Sequence, residues 1–341
     1  MAAQESRPKE ETALRYNAVY LLKRIGFALI TFYVAVTLNF LLPRLIGGDP
    51  ADTLASEKAL GSQEVAKALR EQFGLNDPSL FHQYVRYLKE LLQGNLGVSY
   101  VNYPAPVVDV MLKALPWTIG TVLTATLLSY LVGWLIGIRG AWKAGTIFDN
   151  VSLFGSFFLN AVPYFWIAIL FVMIFAFHLD WFPLGQAFDP TYDSLDTGGK
   201  LLSILHHAFL PVFTLIIASL AGHILVLRNN LMRVLSEDYM LLAKAKGISE
   251  RRRKYMYGAR NALLPSFTGL MMSLGHVIGG AITTEIVFSY PGVGLVTFNA
   301  ILNHDYPLIQ GAFLCIAVSV IIFNLIADLV YPLIDPRVAL S

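Results

Sequence analysis

The chain has 341 residues, 56% of them hydrophobic and only 14% charged, with a mean hydropathy of +0.59. That is far from the roughly 25% charged content of an average soluble domain, and the apolar residues come in unbroken blocks rather than at helix or strand period. A net charge of +2 excludes nucleic-acid binding driven by bulk charge. The single cysteine, Cys315, excludes an internal disulfide and a cysteine-based zinc cluster, and its place inside an apolar run says nothing about redox compartment.

In chain order, six stretches lack Asp, Glu, Lys and Arg over about the 20 residues that cross ~30 Å of hydrocarbon. They are 25–43, 116–138, 150–179, 201–227, 261–284 and 306–327. The third and fourth are longer than a span needs and hold Pro163 and Pro211, which reads as kinked or partly interfacial helix. Continuous rather than alternating apolarity excludes a closed β-barrel. The first run follows a polar tail and is long enough to span, so it reads as a helix rather than a secretory leader.

Lys and Arg crowd the tail (Arg7, Lys9, Arg15, Lys23, Arg24), the second connection (Arg139, Lys143) and the fourth, Arg228 to Arg260. The third has only Lys200 and the fifth, 287–305, has neither, so both termini are expected in the cytoplasm. The expected organisation is a tail (1–23), a first transmembrane helix (24–45), an external region (46–115), and a core with spans two to six (116–335) enclosing a cytoplasmic segment (228–261). In the external region a helix is predicted after Pro78 and Ser79, with Leu80, Tyr84, Leu88, Leu91 and Leu92 on one face. The fold class is therefore an all-α polytopic membrane protein with six transmembrane helices.

The cytoplasmic segment is the most informative. Ser236 reads as an N-cap, Glu237 and Asp238 place negative charge in the first turn, Lys244 and Lys246 place positive charge in the last, and Gly247 suits a left-handed C′ position. Ser249 and Glu250 then start a second helix bearing Arg251, Arg252, Arg253 and Lys254 and running towards Pro265. A helix of about ten residues is marginal without packing, yet this one displays Tyr239, Met240, Leu241, Leu242, Ala243 and Ala245. Two readings stand on physics alone: it lies back on its own chain or on lipid, or it docks into a cytosolic subunit.

Asp238-Tyr239, Ala243-Lys244-Ala245-Lys246-Gly247 and Arg260-Asn261-Ala262-Leu263-Leu264-Pro265 resemble the cytoplasmic signature of binding-protein-dependent ABC transporter permeases, most closely the B-type subunits of the dipeptide, oligopeptide and nickel group. The likeness runs from Leu21-Leu22-Lys23-Arg24 to Asp335-Pro336-Arg337. It takes in Gly48-Asp49-Pro50, Phe73-Gly74-Leu75, Gln83-Tyr84, Gly94-Asn95-Leu96-Gly97 and the stretch from Thr284-Glu285 to Tyr290-Pro291-Gly292-Val293-Gly294. The first ~16 residues look like an extension, Asn95 stands where the family has aspartate, and the plain Glu-Ala-Ala form of the signature is absent.

The resemblance implies the ABC importer permease fold in a prokaryotic cell (inner) membrane, with a short coupling helix between spans four and five. It implies a second homologous permease subunit, two cytosolic ATPase subunits that bind ATP and Mg, and an external solute-binding protein. Asp238, Tyr239, Ala243, Ala245, Lys246, Gly247, Arg260, Asn261 and Pro265 are the expected ATPase-docking residues. No cofactor is expected in this chain: its nearest imitation of a phosphate loop, Gly198-Gly199-Lys200, has Ser194 where glycine is required and Leu201 in place of Ser or Thr. The solute is expected to be a peptide, with oligosaccharide next and nickel least supported.

For the substrate pathway the candidates are Asn160, Pro163, Phe165, Trp166 and His276. His276 lies mid-span, where a polar side chain either lines a cavity or makes an interhelical hydrogen bond. Pro163 frees a backbone carbonyl near Asn160, and Phe165 and Trp166 are lining or core. His206 and His207 point about 100° apart on a helix, against a shared metal. The pairs Gly133/Gly137 and Gly275/Gly279 read as helix packing, Glu285 and Asp328 lie at helix ends, and Arg251 to Lys254 can meet anionic lipid at about 1 kcal/mol per charge. No mid-span carboxylates or inverted repeats support an ion-coupled secondary transporter, and no nucleophile, base or ligand set supports a membrane-embedded hydrolase.

Overall fold

A computed structural model describes residues 7–46, 67, 70, 79–279 and 281–334; Gly48-Asp49-Pro50, Phe73-Gly74-Leu75 and Asp335-Pro336-Arg337 lie outside them, as does the side chain of Asp328. Among the described residues the chain is α-helical, with one isolated bridge between Val98 and Pro106. Helix α1 (Arg7–Ile46) carries the first apolar run. Its buried Val36, Asn39 and Phe40 face α11 (Tyr306–Ile334), and Asn39 Nδ2 donates to the Gln310 carbonyl at 2.6 Å.

Helix α2 (Leu80–Leu92) is capped by Ser79, whose Oγ accepts from the His82 N–H at 3.4 Å. It rests on α1 through the Tyr84 hydroxyl at Thr37 (2.7 Å), the Tyr84 ring against Phe40, and Arg44 donating to Gln83 Oε1 at 3.1 Å. The packed face differs from the expected one: Tyr84, Leu88 and Leu91 are half-buried with Gln83 and Tyr87, whereas Leu80 and Leu92 are exposed.

Helix α3 (Val107–Trp142) starts before Pro116, inside the region expected to be external. Pro116 is accommodated within it, just before a π turn at Ile119–Leu123, a local change in the ladder where proline removes a donor. The 150–179 run breaks into two helices at Pro163, the proline expected to kink it. They are α4 (Ile147–Ala161) and α5 (Tyr164–His178), bent by 92°. Pro163 at the N-cap has no N–H to continue the ladder and holds Val162 extended.

Helix α6 (Thr197–Leu235) absorbs Pro211 and starts at Asp196, which accepts from the Gly199 N–H at 3.0 Å. After it come α7 (Asp238–Ala245) and α8, a continuous helix over 250–275 with a π segment at Arg253–Ala259. Then follow α9 (Ile282–Val287), α10 (Val293–Leu302) and α11. Four helices among the described residues are long and apolar enough to cross a membrane, and the bent pair makes up to five. The 261–284 run is not one helix: Arg260–Gly275 ends at His276, a 3-10 turn covers Val277–Gly279, and α9 begins at Ile282. His276 is thus a C-cap, its Nδ1 2.8 Å from the Met272 carbonyl oxygen, rather than a mid-helix residue.

The glycine pairs do pack. A Cβ on Gly133 would stand 2.6 Å from His223 Cβ, and one on Gly137 would stand 2.9 Å from the Ile224 oxygen, so α3 and α6 touch backbone to backbone. Gly275 and Gly279 lie against Val320, Phe323 and Ile316 of α11. Where α6 meets the α3–α4 turn, Arg228 grips the buried Asp149 with two bonds of 2.6 and 2.8 Å. His206 and His207 each bond a separate backbone carbonyl, of Trp181 and of Ser203.

Two further buried carboxylates hold the opposite end. Glu285 accepts from Thr118 Oγ1 at 2.8 Å and from the Leu295 N–H at 3.0 Å, capping α10, while Thr118 Oγ1 accepts from the Val293 N–H at 2.7 Å. A Cβ on Gly292 would collide with the Glu285 carboxylate, which accounts for glycine in Tyr290-Pro291-Gly292. Asp305 accepts from Ser99 Oγ (2.6 Å), the Val101 N–H and the Leu308 N–H, tying the segment before α3 to the start of α11. Burial, and then the Asp305 charge, push the Tyr100 phenol up from its ordinary pKa. Asn95 Oδ1 accepts from the Gly97 N–H at 2.9 Å, a bond that an aspartate oxygen would make equally well.

The α3–α6 contact makes a stability prediction. Gly133→Ala should cost about 1–3 kcal/mol, because its methyl meets another Cβ that cannot turn away. Gly222→Ala, with nothing within 4 Å of the new carbon, should be neutral or slightly stabilising. Thermal unfolding of both purified variants in detergent checks the contrast.

Candidate coupling site

The end of the bundle that carries residues 228–261 is built on the α3–α6 pair. Ile138, Ala141, Leu227, Leu231, Ala259 and Ala262 form a buried cluster there, with Trp134, Val234, Leu235 and Leu263 packed around it. Helix α6 stops at Ser236, whose Oγ donates to the Arg233 carbonyl at 2.7 Å. Ser236 therefore caps the end of α6, and Glu237, in extended conformation, is the N-cap of α7. The sequence motif sits one residue off because serine closes one helix just where the next opens.

Helix α7 ends as its sequence requires. Gly247 takes φ +71°, its N–H donates to the Lys244 carbonyl at 3.0 Å, and the Ile248 N–H donates to the Ala243 carbonyl at 3.1 Å. These two bonds are the Schellman closure, which glycine makes without a Cβ penalty. The chain then reverses into α8. Arg253 Nε donates to the Ile248 carbonyl at 3.0 Å, and Glu250 accepts from Trp142 Nε1 of α3 at 2.6 Å.

Eight residues of helix do not hold themselves in water, so packing must supply the order. Met240 and Ala243 are buried against the start of α8. Asn261 Nδ2 donates to the Tyr239 hydroxyl at 2.9 Å and to the Tyr257 carbonyl at 2.9 Å, pinning the first turn of α7 to α8. What remains open is a face with Leu241 at 69% and Leu242 at 54% exposure, flanked by Asp238, Ala245, Lys246 and Gly247. Beside it lies a cavity of about 330 Å³ lined by Trp142, Leu235, Glu237, Asp238, Lys244 and Arg253, among others.

The expected docking residues therefore divide. Asp238, Tyr239, Ala245, Lys246 and Gly247 are exposed on α7 and its closure, and Arg260, Asn261 and Pro265 are exposed near the middle of α8. Ala243 faces inward at 3% exposure, because its small side chain lets α7 approach α8. Leu241 and Leu242, the largest apolar groups on the open face, were not among the expected residues; their signal was apolar side chains without a partner.

The expected pathway residues fall into two places. Asn160, Pro163, Phe165 and Trp166 are exposed around the 92° bend, where α5 packs on α6 and α9. His276 sits at the end of α8, beside α11. The expectations also passed over Tyr130, His223 and Ser273. The Tyr130 and His223 rings stack at 3.7 Å between centroids, and the Tyr130 hydroxyl lies 3.2 Å from Ser273 Oγ, joining α3, α6 and α8. A search for Asp, Glu, Lys and Arg does not register these groups.

Residues 111–340 match the model of the binding-protein-dependent transport system inner membrane component. The chain belongs to this family. Over 94% of its length the permease is 32% identical to the oligopeptide transport system permease protein AppB of Bacillus subtilis, covering 99% of that protein. It is 34% identical to the di/tripeptide transport system permease protein DppB of Pseudomonas aeruginosa and 30% identical to the dipeptide transport system permease protein DppB of Escherichia coli K12. Each of those alignments covers 94% of the permease and 98% of the relative.

The Tyr239–Asn261 contact carries a prediction about local order. Tyr239→Phe and Asn261→Ala should each lower hydrogen-exchange protection of the α7 amides about fivefold, the worth of one ~1 kcal/mol hydrogen bond. The double variant should lose little more than Tyr239→Phe alone, since that change already removes both bonds of the hydroxyl, to Asn261 and to the Tyr257 carbonyl. Exchange mass spectrometry on the detergent-solubilised chain reads this directly.

Proposed function

We propose that this permease is one of two membrane-spanning subunits of an ATP-driven importer of peptides. The observation that carries the cargo is that relatives aligned over 94% of the chain are named for oligopeptide, di/tripeptide and dipeptide transport. Those names favour peptide over oligosaccharide and nickel. In this reading the chain crosses the membrane six times with both termini in the cytoplasm. The bent pair α4–α5 serves as the third crossing, and the broken segment from α8 to α9 as the fifth. An external binding protein delivers the solute, and the pathway forms between this subunit and a second, homologous one.

Helix α7 is the coupling element. Two cytosolic ATPase subunits bind ATP and Mg, and the open face of α7 enters a groove on one of them. Support comes from construction: a helix too short to stand alone is fixed by the Gly247 closure and the Asn261 bond, yet presents two uncovered leucines. A rigid apolar anchor on a small element is what an interface hot spot requires. The pathway residues Asn160, Pro163, Phe165, Trp166 and His276 lie at the two breaks in the helices, where backbone and polar groups are available to a passing peptide.

Leu241→Asp should leave membrane abundance unchanged and reduce ATPase co-purification at least tenfold, a loss of about 1.4 kcal/mol or more. Arg252→Lys should bind ATPase as the parent does, and reconstituted complexes should import labelled dipeptide only in the parent and in Arg252→Lys. Full ATPase binding by Leu241→Asp would remove α7 from the interface.

Orientation is tested separately. In a chain with Cys315 replaced, single cysteines at Asp193 and Ser249 meet an impermeant thiol reagent added outside. Labelling at 193 and none at 249 is expected; the reverse pattern would invert the topology.

A further inference from the structure

The apolar arc of α2 is wider than its seat on α1. At about 100° per residue, Phe81, Val85 and Leu92 continue the arc of Tyr84 and Leu88 to one side, and His82, Arg86 and Lys89 occupy the opposite side. Phe81 is 71% and Leu92 89% exposed, and Val85 is exposed with them.

The contacts with α1 fix where this flank points. They leave a single turn of α2, residues 83–87, yet span Thr37 to Arg44 of α1, so the two helices cross. Gln83 meets Arg44, at the end of the 25–43 apolar run, and Tyr84 meets Thr37, two turns and roughly 10 Å further in. Turning about 100° around α2 from Gln83 to Tyr84 thus moves from the end of that run towards its middle, and a further ~60–100° in the same sense reaches Phe81, Leu92 and Val85. The flank is directed along α1 into the bilayer, at the depth where α1 itself exposes Val34, Leu38 and Leu41.

Depth decides the occupant. Helix α1 carries the first candidate span, Leu22–Leu42, and its crossing with α2 centres on Phe40, whose ring meets Tyr84 and Tyr87. Phe40 is roughly 4–5 Å inside the end of the apolar run. That is the level of an amphipathic helix lying in the interface plane, which sinks its apolar face about 5–10 Å into the acyl boundary. A protein approaching from water does not reach a flank turned towards the middle of the bilayer. Histidine, arginine and lysine on the far arc match lipid phosphate at the same level.

We infer that α2 is a membrane anchor lying in the leaflet at the Arg44 end of α1: Phe81, Val85 and Leu92 enter the acyl layer, and the arc of His82, Arg86 and Lys89 lies among the headgroups. Beyond α2, Ser99 and Val101 bond Asp305 at the start of α11, so the anchor also holds that junction at the bilayer surface. The inference rests on α1 crossing the membrane, and not on the direction of crossing or on the cargo.

The test places nitroxide labels on single cysteines in the full-length chain with Cys315 replaced, in vesicles of equal phosphatidylglycerol and phosphatidylethanolamine. Collision with oxygen, which concentrates among acyl chains, against collision with a water-soluble nickel chelate reads depth. Labels on Phe81→Cys, Val85→Cys and Leu92→Cys should sit roughly 5–10 Å deeper than one on Lys89→Cys, with an oxygen preference like that of a label on Leu38→Cys of α1. Each flank position is read by itself, so a variant that inserts poorly leaves the others. Nickel collision at the flank positions equal to that at position 89 puts α2 in water and overturns the proposal. Low collision with both reagents, in the chain alone or after assembly with its co-expressed partners, assigns the flank to protein and overturns it as well.

Discussion

Two helices can approach this closely only where at least one of them carries no side chain at the crossing, and Gly133 and Gly137 of α3 against His223, Ile224 and Leu227 of α6 make such a crossing. It fixes α3 against α6. From there the fixed geometry spreads to both ends. At one end the pair sets Trp142 beside Glu250 and Leu231 beside Gly258, the platform on which α7 and α8 rest. Higher up, Tyr130 of α3 stacks on His223 and reaches Ser273 of α8. Without the glycines the axes would separate by the width of a side chain, and neither platform nor polar link would close.

The buried carboxylates share a second rule. Asp149, Glu285 and Asp305 are each almost fully buried, and each is surrounded by donors: the Arg228 guanidinium and Gly145 N–H, Thr118 and Leu295, or Ser99, Val101 and Leu308. A buried charge without such partners costs far more than these bonds return. All three lie where the chain enters a helix or turns between two, the places where backbone N–H groups lack intrahelical acceptors. These three carboxylates close helix ends away from water.

Composition and charge-free runs made the membrane class, the long helices α1, α3, α6 and α11, and the left-handed Gly247 legible in the sequence, because each depends on local chemistry alone. Breaks were harder. Pro163 and Pro211 look alike in the sequence, yet α6 runs through Pro211 while the chain turns 92° at Pro163. The difference lies in the packing around each: Pro211 is buried in the bundle, whereas Pro163 is exposed. At the candidate coupling site the short helix was legible in the sequence but its faces were not, since whether Ala243 or Leu241 looks outward depends on where α8 passes. Glu285 reads as an ordinary helix-end acid in the sequence because its side-chain partner, Thr118, is 167 residues away.

The double fastening of α7 to α8 has a mechanical consequence. With Tyr239 bonded at its first turn and Gly247 closing its last, α7 cannot slide without carrying the 250–275 helix along. That helix is a rod of roughly 39 Å at 1.5 Å per residue. A tilt of about 5° imposed at its base displaces its far end by roughly 3 Å, more than half a helical turn. The rod stops at His276, so the displacement is delivered at one defined break in the chain rather than dissipated along a continuous span. A tilt of the rod at the basic end would therefore be felt at the His276 break, where Gly275 and Gly279 bring it against α11.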